Sequence, residues 1–355
     1  MCGDSGGVDF HSVKGIVMFR SMYIATVFRF FLMMFSLPLM AQSWSFSTEN
    51  DAPFGSDGGY TGGMQVGWMS DALRQSRPGS FGYRYVSAMS GLLQALYPFD
   101  LSTKRRSGAI SIRGMAFTPE DTKSQEPIYD DVPYMGVTTA TFSLFIWDER
   151  LFHEIRAAVG VIGPASGAGF TQKVWHRAIG NEEPQGWGNQ LDERPVFQAG
   201  YGFGVRQYEH RFGGGHVFEW FNSFSADAGS GYTGAEAGTV LRIGKNVPKN
   251  FVTINGLFSH TLARQLNLES CPETWGWAVS VGVSANAIGY FYLYEESKDE
   301  GYDFERPSGV VTGRFGADLY YKTLQLSLEL LPSRSIDRFM RFNDFGRLSL
   351  IWRIP

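Results

Sequence analysis

Charge is scarce in this chain and cysteine nearly absent. Only 19% of the 355 residues are Asp, Glu, Lys or Arg, and the net charge is −4. That balance gives no basic surface of the kind that nucleic acid requires. Two cysteines, Cys2 and Cys271, supply no disulfide framework, and removal of an N-terminal leader would leave Cys271 alone. Beyond the N-terminal stretch no segment offers the ~18 uninterrupted apolar residues of a membrane helix. Past the N-terminal stretch, which holds Gly3-Asp4-Ser5-Gly6-Gly7, a Gly-x-Ser-x-Gly elbow, a His-Glu-x-x-His helix and a phosphate loop are all missing, which disfavours a serine hydrolase.

Glycine and aromatics are abundant instead. Glycine accounts for 43 residues and aromatics for 15%, where glycine usually makes up about 7%. With short alternating runs, that mixture fits an all-β protein with many turns, either a soluble sandwich or a transmembrane barrel. The N-terminus favours the barrel. Phe28 to Ala41 follows Arg20, is split by Arg29, and has an apolar core of about a dozen residues, too short to span but suited to a signal peptide. Cleavage is expected after Ala41, with residues 1–19 an upstream extension and Met18 or Met22 the true start. Residues 42–355 then form an outer-membrane domain.

The alternation predicts twelve strands, near 43–49, 61–70, 108–117, 134–147, 151–163, 195–208, 216–227, 233–244, 275–295, 310–321, 324–331 and 346–354. An even number suits a transmembrane antiparallel barrel. In one run Leu324, Leu326, Leu328 and Leu330 face lipid, and Gln325, Ser327 and Glu329 face the lumen. With a periplasmic N-terminus, the connections at 148–150, 209–215 and 322–323 are short periplasmic turns. Those at 118–133, 164–194, 296–309 and 332–345 are outer loops. Two long connections, 71–107 and 245–274, depart from that pattern and would lie in the periplasm. The first holds an amphipathic piece, Tyr85 to Tyr97; in the second, Phe251 to His260 could be an uncounted strand pair.

Parity sends one polar cluster to the outer rim: Asn50, Asp51, Thr61 and the Thr118 to Lys123 stretch. The 164–194 loop should join them. Phe170 to Ile179 has helical periodicity and stops at Gly180, so a short extracellular-loop helix carrying Gln172 and His176 on one face is expected over the barrel mouth. His is the residue best matched to general-base work near neutral pH. Of the histidines after the leader, His153, His210 and His216 map toward the periplasm and His260 to the second long connection. His176 alone maps to the outer end. Asp51, Glu182 and loop carbonyls offer oxygens for a hard cation such as Ca²⁺, although no EF-hand spacing exists. Simpler readings stand beside these: an Asx turn for Asn50-Asp51 and a solvated loop charge for Lys123.

Several motifs taken together resemble the outer-membrane lipid A 3′-O-deacylase family. They are Glu49-Asn50-Asp51, Asp57-x-x-Tyr60-Thr61-x-Gly63, Phe117-Thr118-Pro119-Glu120-Asp121 and Gly160-Val-Ile-Gly163-Pro164-x-Ser166. Gln172-x-x-x-His176-Arg-x-Ile-Gly180 and Pro184-x-Gly186-Trp187-x-Asn189-Gln190-Leu191 complete the set. The resemblance implies a twelve-stranded barrel with its site between the wall and a loop helix. It also implies Ca²⁺-dependent removal of the 3′ acyloxyacyl group of lipid A, the lipid anchor of lipopolysaccharide. Carried over by motif, His176 activates water, Asn50, Asp51, Thr61 and Lys123 are site residues, and Glu182 with Asp51 serves the metal. A monomer is expected. One departure is Ala168-Gly169, where the family has Gly-Glu. An inactive structural barrel or a passive channel is the alternative in another functional class, and a periplasmic β-sandwich a third.

Overall fold

Alternation decides the architecture. In the run from Leu324, the leucines at every second position up to Leu330 are exposed, while Gln325, Ser327, Glu329, Ser333 and Ser335 are buried. In a soluble sheet the apolar face would be the hidden one. Here Val279, Val281, Val283 and the leucines face outward and the charges face inward, the polarity of a wall solvated by lipid.

The computed structural model describes residues 42–51, 53, 59–96, 104–258, 260–267, 274–338 and 340–354. The expected signal peptide over 1–41, Asp57 and Cys271 fall outside the described residues. The twelve strands are β1 (Gln42–Asn50), β2 (Gly59–Ser70), β3 (Arg105–Thr118), β4 (Met135–Trp147), β5 (Leu151–Ile162) and β6 (Arg194–Arg211), followed by β7 (His216–Gly229), β8 (Tyr232–Lys245), β9 (Gly276–Phe291), β10 (Gly309–Tyr321), β11 (Leu324–Ser335) and β12 (Arg341–Arg353). Each pairs antiparallel with its neighbours, and β1 closes on β12 into a barrel. Closure leaves no unpaired edge, the condition for sheet in hydrocarbon. Among the described residues no helix is long and apolar enough to cross a membrane.

Among the described residues three α-helices accompany the wall: α1 (Phe81–Leu96), α2 (Ala168–Ile179) and α3 (Tyr292–Asp299). The expected strand through 295 ends at Phe291, because Tyr292, Leu293 and Tyr294 are buried in succession and period-2 alternation fails there. Both long connections depart from a purely periplasmic placement. Helix α1 lies against the outer face of the wall, with Phe81 and Tyr85 packed on outward-facing Trp68. Gly108 provides the room that Tyr85 fills.

The second connection turns back into the barrel. Among its described residues there is no strand pair, and a single bridge, Asn250 to Asn267, is the ladder contact. Phe251, Val252, Ile254, Leu257, Leu262 and Leu266 are buried in the lumen. Strand arginines fix its main chain. Arg206 donates to Asn250 O at 2.8 Å, Arg347 to Asn255 O at 2.7 Å and Arg113 to Leu257 O at 3.1 Å. Its own Arg264 reaches Glu329 at 2.6 Å and Asp318 at 3.4 Å. Lumenal guanidiniums away from bulk water need acceptors, and the irregular segment's free carbonyls supply them.

Candidate functional site on the outer wall

The two faces of β1 carry different chemistry. Glu49 points into the lumen, where it accepts from Tyr60, from Arg113 at 2.9 Å and from Arg347 at 2.8 Å. Asn50 shares the outward parity of Phe46. On β3, Arg113 and Phe117 face inward, so Gly114, Ala116 and Thr118 face outward. A bulge between Tyr60 and Gly62 keeps Tyr60 on Glu49 and turns Thr61 toward Thr118. The Thr61 and Thr118 hydroxyls lie 2.5 Å apart, and Asn50 Nδ2 donates to Thr61 O at 3.1 Å.

Helix α2 covers this patch from the side. Expected over the barrel mouth, it packs instead against the outer faces of β3 and β4. The reason is steric: the space outside Gly136 is taken by Ser166 and Ala168, and Thr138 Oγ1 donates to Ser166 O at 2.9 Å. Left-handed Gly167 (φ 74°) and Gly180 (φ 77°) begin and end the helix, conformations that side-chain-bearing residues resist. Gln172 Oε1 accepts from Trp187 Nε1 at 2.7 Å, and the Trp187 ring meets Tyr134 at 5.0 Å. A Cβ on Gly169 would come within 2.9 Å of that indole. Glycine at 169 leaves the room that the Trp187 ring fills.

Between helix and wall runs an open groove with a cavity volume of about 100 Å³, lined among others by Asn50, Thr61, Gly114, Trp175 and His176. His176 Nδ1 lies 2.6 Å from Glu182 O. A carbonyl only accepts, so Nδ1 carries the proton and Nε2 is left as the basic nitrogen. Lys123 Nζ sits 2.6 Å from the Glu182 carboxylate, with both side chains about three-quarters exposed at 74% and 75%. The hydrogen bond to Glu182 holds the Lys123 ammonium above its usual range, so it stays charged throughout the physiological range.

Of the sequence-predicted residues, Asn50, Thr61 and His176 line one groove. Asp51 is buried directly after Asn50, and Lys123 and Glu182 pair in the loops outside it. Thr118, expected at the outer rim as the start of the 118–123 stretch, belongs to the hydroxyl pair with Thr61. Among the described residues no three His, Cys, Asp or Glu side chains converge on a metal position. The groove's own side-chain donors are hydroxyl and amide oxygens and the His176 imidazole; the carboxylates of Asp51, next to Asn50, and Glu182, next to His176 through its carbonyl, add oxygens of the kind that calcium takes.

Comparison with known proteins is consistent with this architecture. A family model described as outer membrane protein LpxR matches residues 27–354. Among solved structures, LpxR from Salmonella typhimurium superposes with a TM-score of 0.66 at 17% identity, covering 87% of this chain and 99% of that one. The β domain of the Bordetella autotransporter BrkA gives a TM-score of 0.44 at 9% identity, covering 88% and 99%. Curated protein sequences give no significant match.

Proposed function

Because the chain belongs to the outer-membrane LpxR family, we propose that it is a carboxylic ester hydrolase that removes the 3′-linked acyloxyacyl group of lipid A. The observation that carries this reading is the position of His176. Its basic nitrogen belongs to a groove on the lipid-facing side of the wall, at the loop end of the strands, beside Asn50 and Thr61. A lipid in the outer leaflet reaches such a groove without leaving the membrane.

In this reading Nε2 of His176 takes a proton from water as the water oxygen adds to the ester carbonyl. Collapse of the tetrahedral adduct breaks the bond to the sugar oxygen. The proton passes to that oxygen, leaving a sugar hydroxyl and an acyloxyacyl acid. The Asn50 amide and the threonine hydroxyls are the donors that serve the developing oxyanion. Lys123 can exchange Glu182 for a substrate phosphate. Asp51 and Glu182 are the residues that would hold Ca²⁺, which when bound supplies a Lewis acid for the carbonyl. A closed barrel needs no second copy to cover an edge, which favours a monomer. The passive-channel reading loses ground because the lumen is occupied by the chain's own residues 246–258 and 260–267.

Mass spectrometry of lipid A, after expression with Ca²⁺ or EDTA, tests the proposal. Loss of the 3′ acyloxyacyl group is expected for wild type with Ca²⁺. It is not expected with EDTA or for His176→Ala. Intact lipid A in every condition, with the barrel folded in the outer membrane, would sink the enzymatic reading.

A further inference from the structure

The groove continues past the polar cluster toward the hydrocarbon, and strand pairing lays its floor in rows. Beside the cluster lie Asn50, Gly62, Ala116 and Gly136. The next row is Thr48, Met64, Gly114 and Thr138, and the third is Phe46, Val66, Ile112 and Ala140. Successive rows are about 6.7 Å apart along the strands. Gly136 is covered by the turn before α2, but Gly114 is not. A Cβ added there would meet nothing nearer than Thr138 Oγ1 at 3.6 Å.

Nothing local demands glycine at this position. Its φ is not positive, and no backbone or ring crowds it. Glycine inside a strand weakens the strand, and where packing does not require it, it often marks the close approach of a ligand. The notch over Gly114 is bounded by Met64 and Ala116, with Trp175 across the groove. Val66 and Ile112 close it one row further down. The notch is narrow, apolar on most sides and directed from the ester-cleaving end into lipid.

We propose that this notch receives a saturated fatty acyl chain of the substrate and that Gly114 is a specificity-determining residue for its length. The inference rests on the hydrolase reading and specifies its substrate. A larger side chain at 114 fills the notch from the floor, so long chains lose their seat before short ones do.

The test compares hydrolysis rates of lipid A preparations with short and long 3′ chains. Wild type, Gly114→Ala and Gly114→Leu are assayed in detergent micelles with Ca²⁺. Gly114→Leu is expected to lower the long-to-short rate ratio about tenfold, the scale at which a hydrophobic pocket discriminates by a methylene or more. Gly114→Ala should lower it by a smaller step, and carries the test if the leucine variant fails to show heat-modifiable folding. An unchanged ratio in the folded variants, with wild type active, overturns the notch and leaves the hydrolase standing. A wild type inactive on every chain length removes the hydrolase reading and this inference with it.

Discussion

His176 owes its tautomer to a carbonyl, not a carboxylate, and this separates two roles of Glu182. Its main-chain oxygen orients the imidazole, while its side chain pairs with Lys123 in solvent. An exposed pair of this kind contributes little to stability. Lys123→Ala should therefore leave the unfolding midpoint unchanged yet lower kcat/KM roughly tenfold, the scale of one charged hydrogen bond, with reduced salt sensitivity. Equal losses of stability and activity would instead mark Lys123 as structural. Strand parity and an i, i+4 spacing were enough to bring Asn50, Thr61 and His176 together from the sequence. Which face of the wall they occupy was not legible, because a rim position looks the same from inside and outside. Glu49 settles it: anchored inward on Tyr60, Arg113 and Arg347, it forces its neighbour Asn50 outward.

Helix α2 was readable for a different reason. Its periodicity ends at Gly180, where a left-handed residue is required, and that signal is local. Its docking is tertiary, set by Gly136, Ser166, Ala168 and the Trp187 bond to Gln172. Gly136→Val should push the helix off β4, since the side chain has to displace Ser166 and Ala168. Overpacking of this kind costs about 1–3 kcal/mol. The expected outcome is a heat-modifiable barrel without lipid A hydrolysis, cut by protease within 164–194 faster than wild type. Retained activity would show that the helix position is not needed. The end of β9 and helix α3 escaped the alternation count because Tyr292, Leu293 and Tyr294 satisfy an apolar strand pattern and a buried helix turn equally well.

At the level of the whole molecule, the lumen plug is what sequence periodicity could not reveal. Residues 246–267 have no period, and their burial comes from arginines on distant strands. That filling predicts no stable open-pore conductance in planar bilayers. Steady single-channel currents would contradict it. The plug also carries a pH signature. Burial first, then Arg113 and Arg347, hold His260 well below the usual imidazole range. Although Glu49 lies 3.9 Å away, its charge is already taken by those two arginines. In the unfolded chain His260 titrates near 6.5. As pH falls below that value the unfolded state gains a proton that the folded state refuses. Stability then drops by up to about 1.4 kcal/mol per pH unit until the folded pKa is reached. Asp71 works in the opposite direction: burial raises it to about 6, so its contribution is present at low pH and lost as pH rises through that value. The raw pH profile is therefore a sum of opposing effects, and the difference between wild type and His260→Gln isolates the plug. Urea unfolding in detergent should show wild type losing roughly 1.4 kcal/mol more than His260→Gln between pH 7.5 and 5.5. Parallel losses would mean that His260 accepts a proton inside the folded barrel, and that the plug does not shield it from solvent.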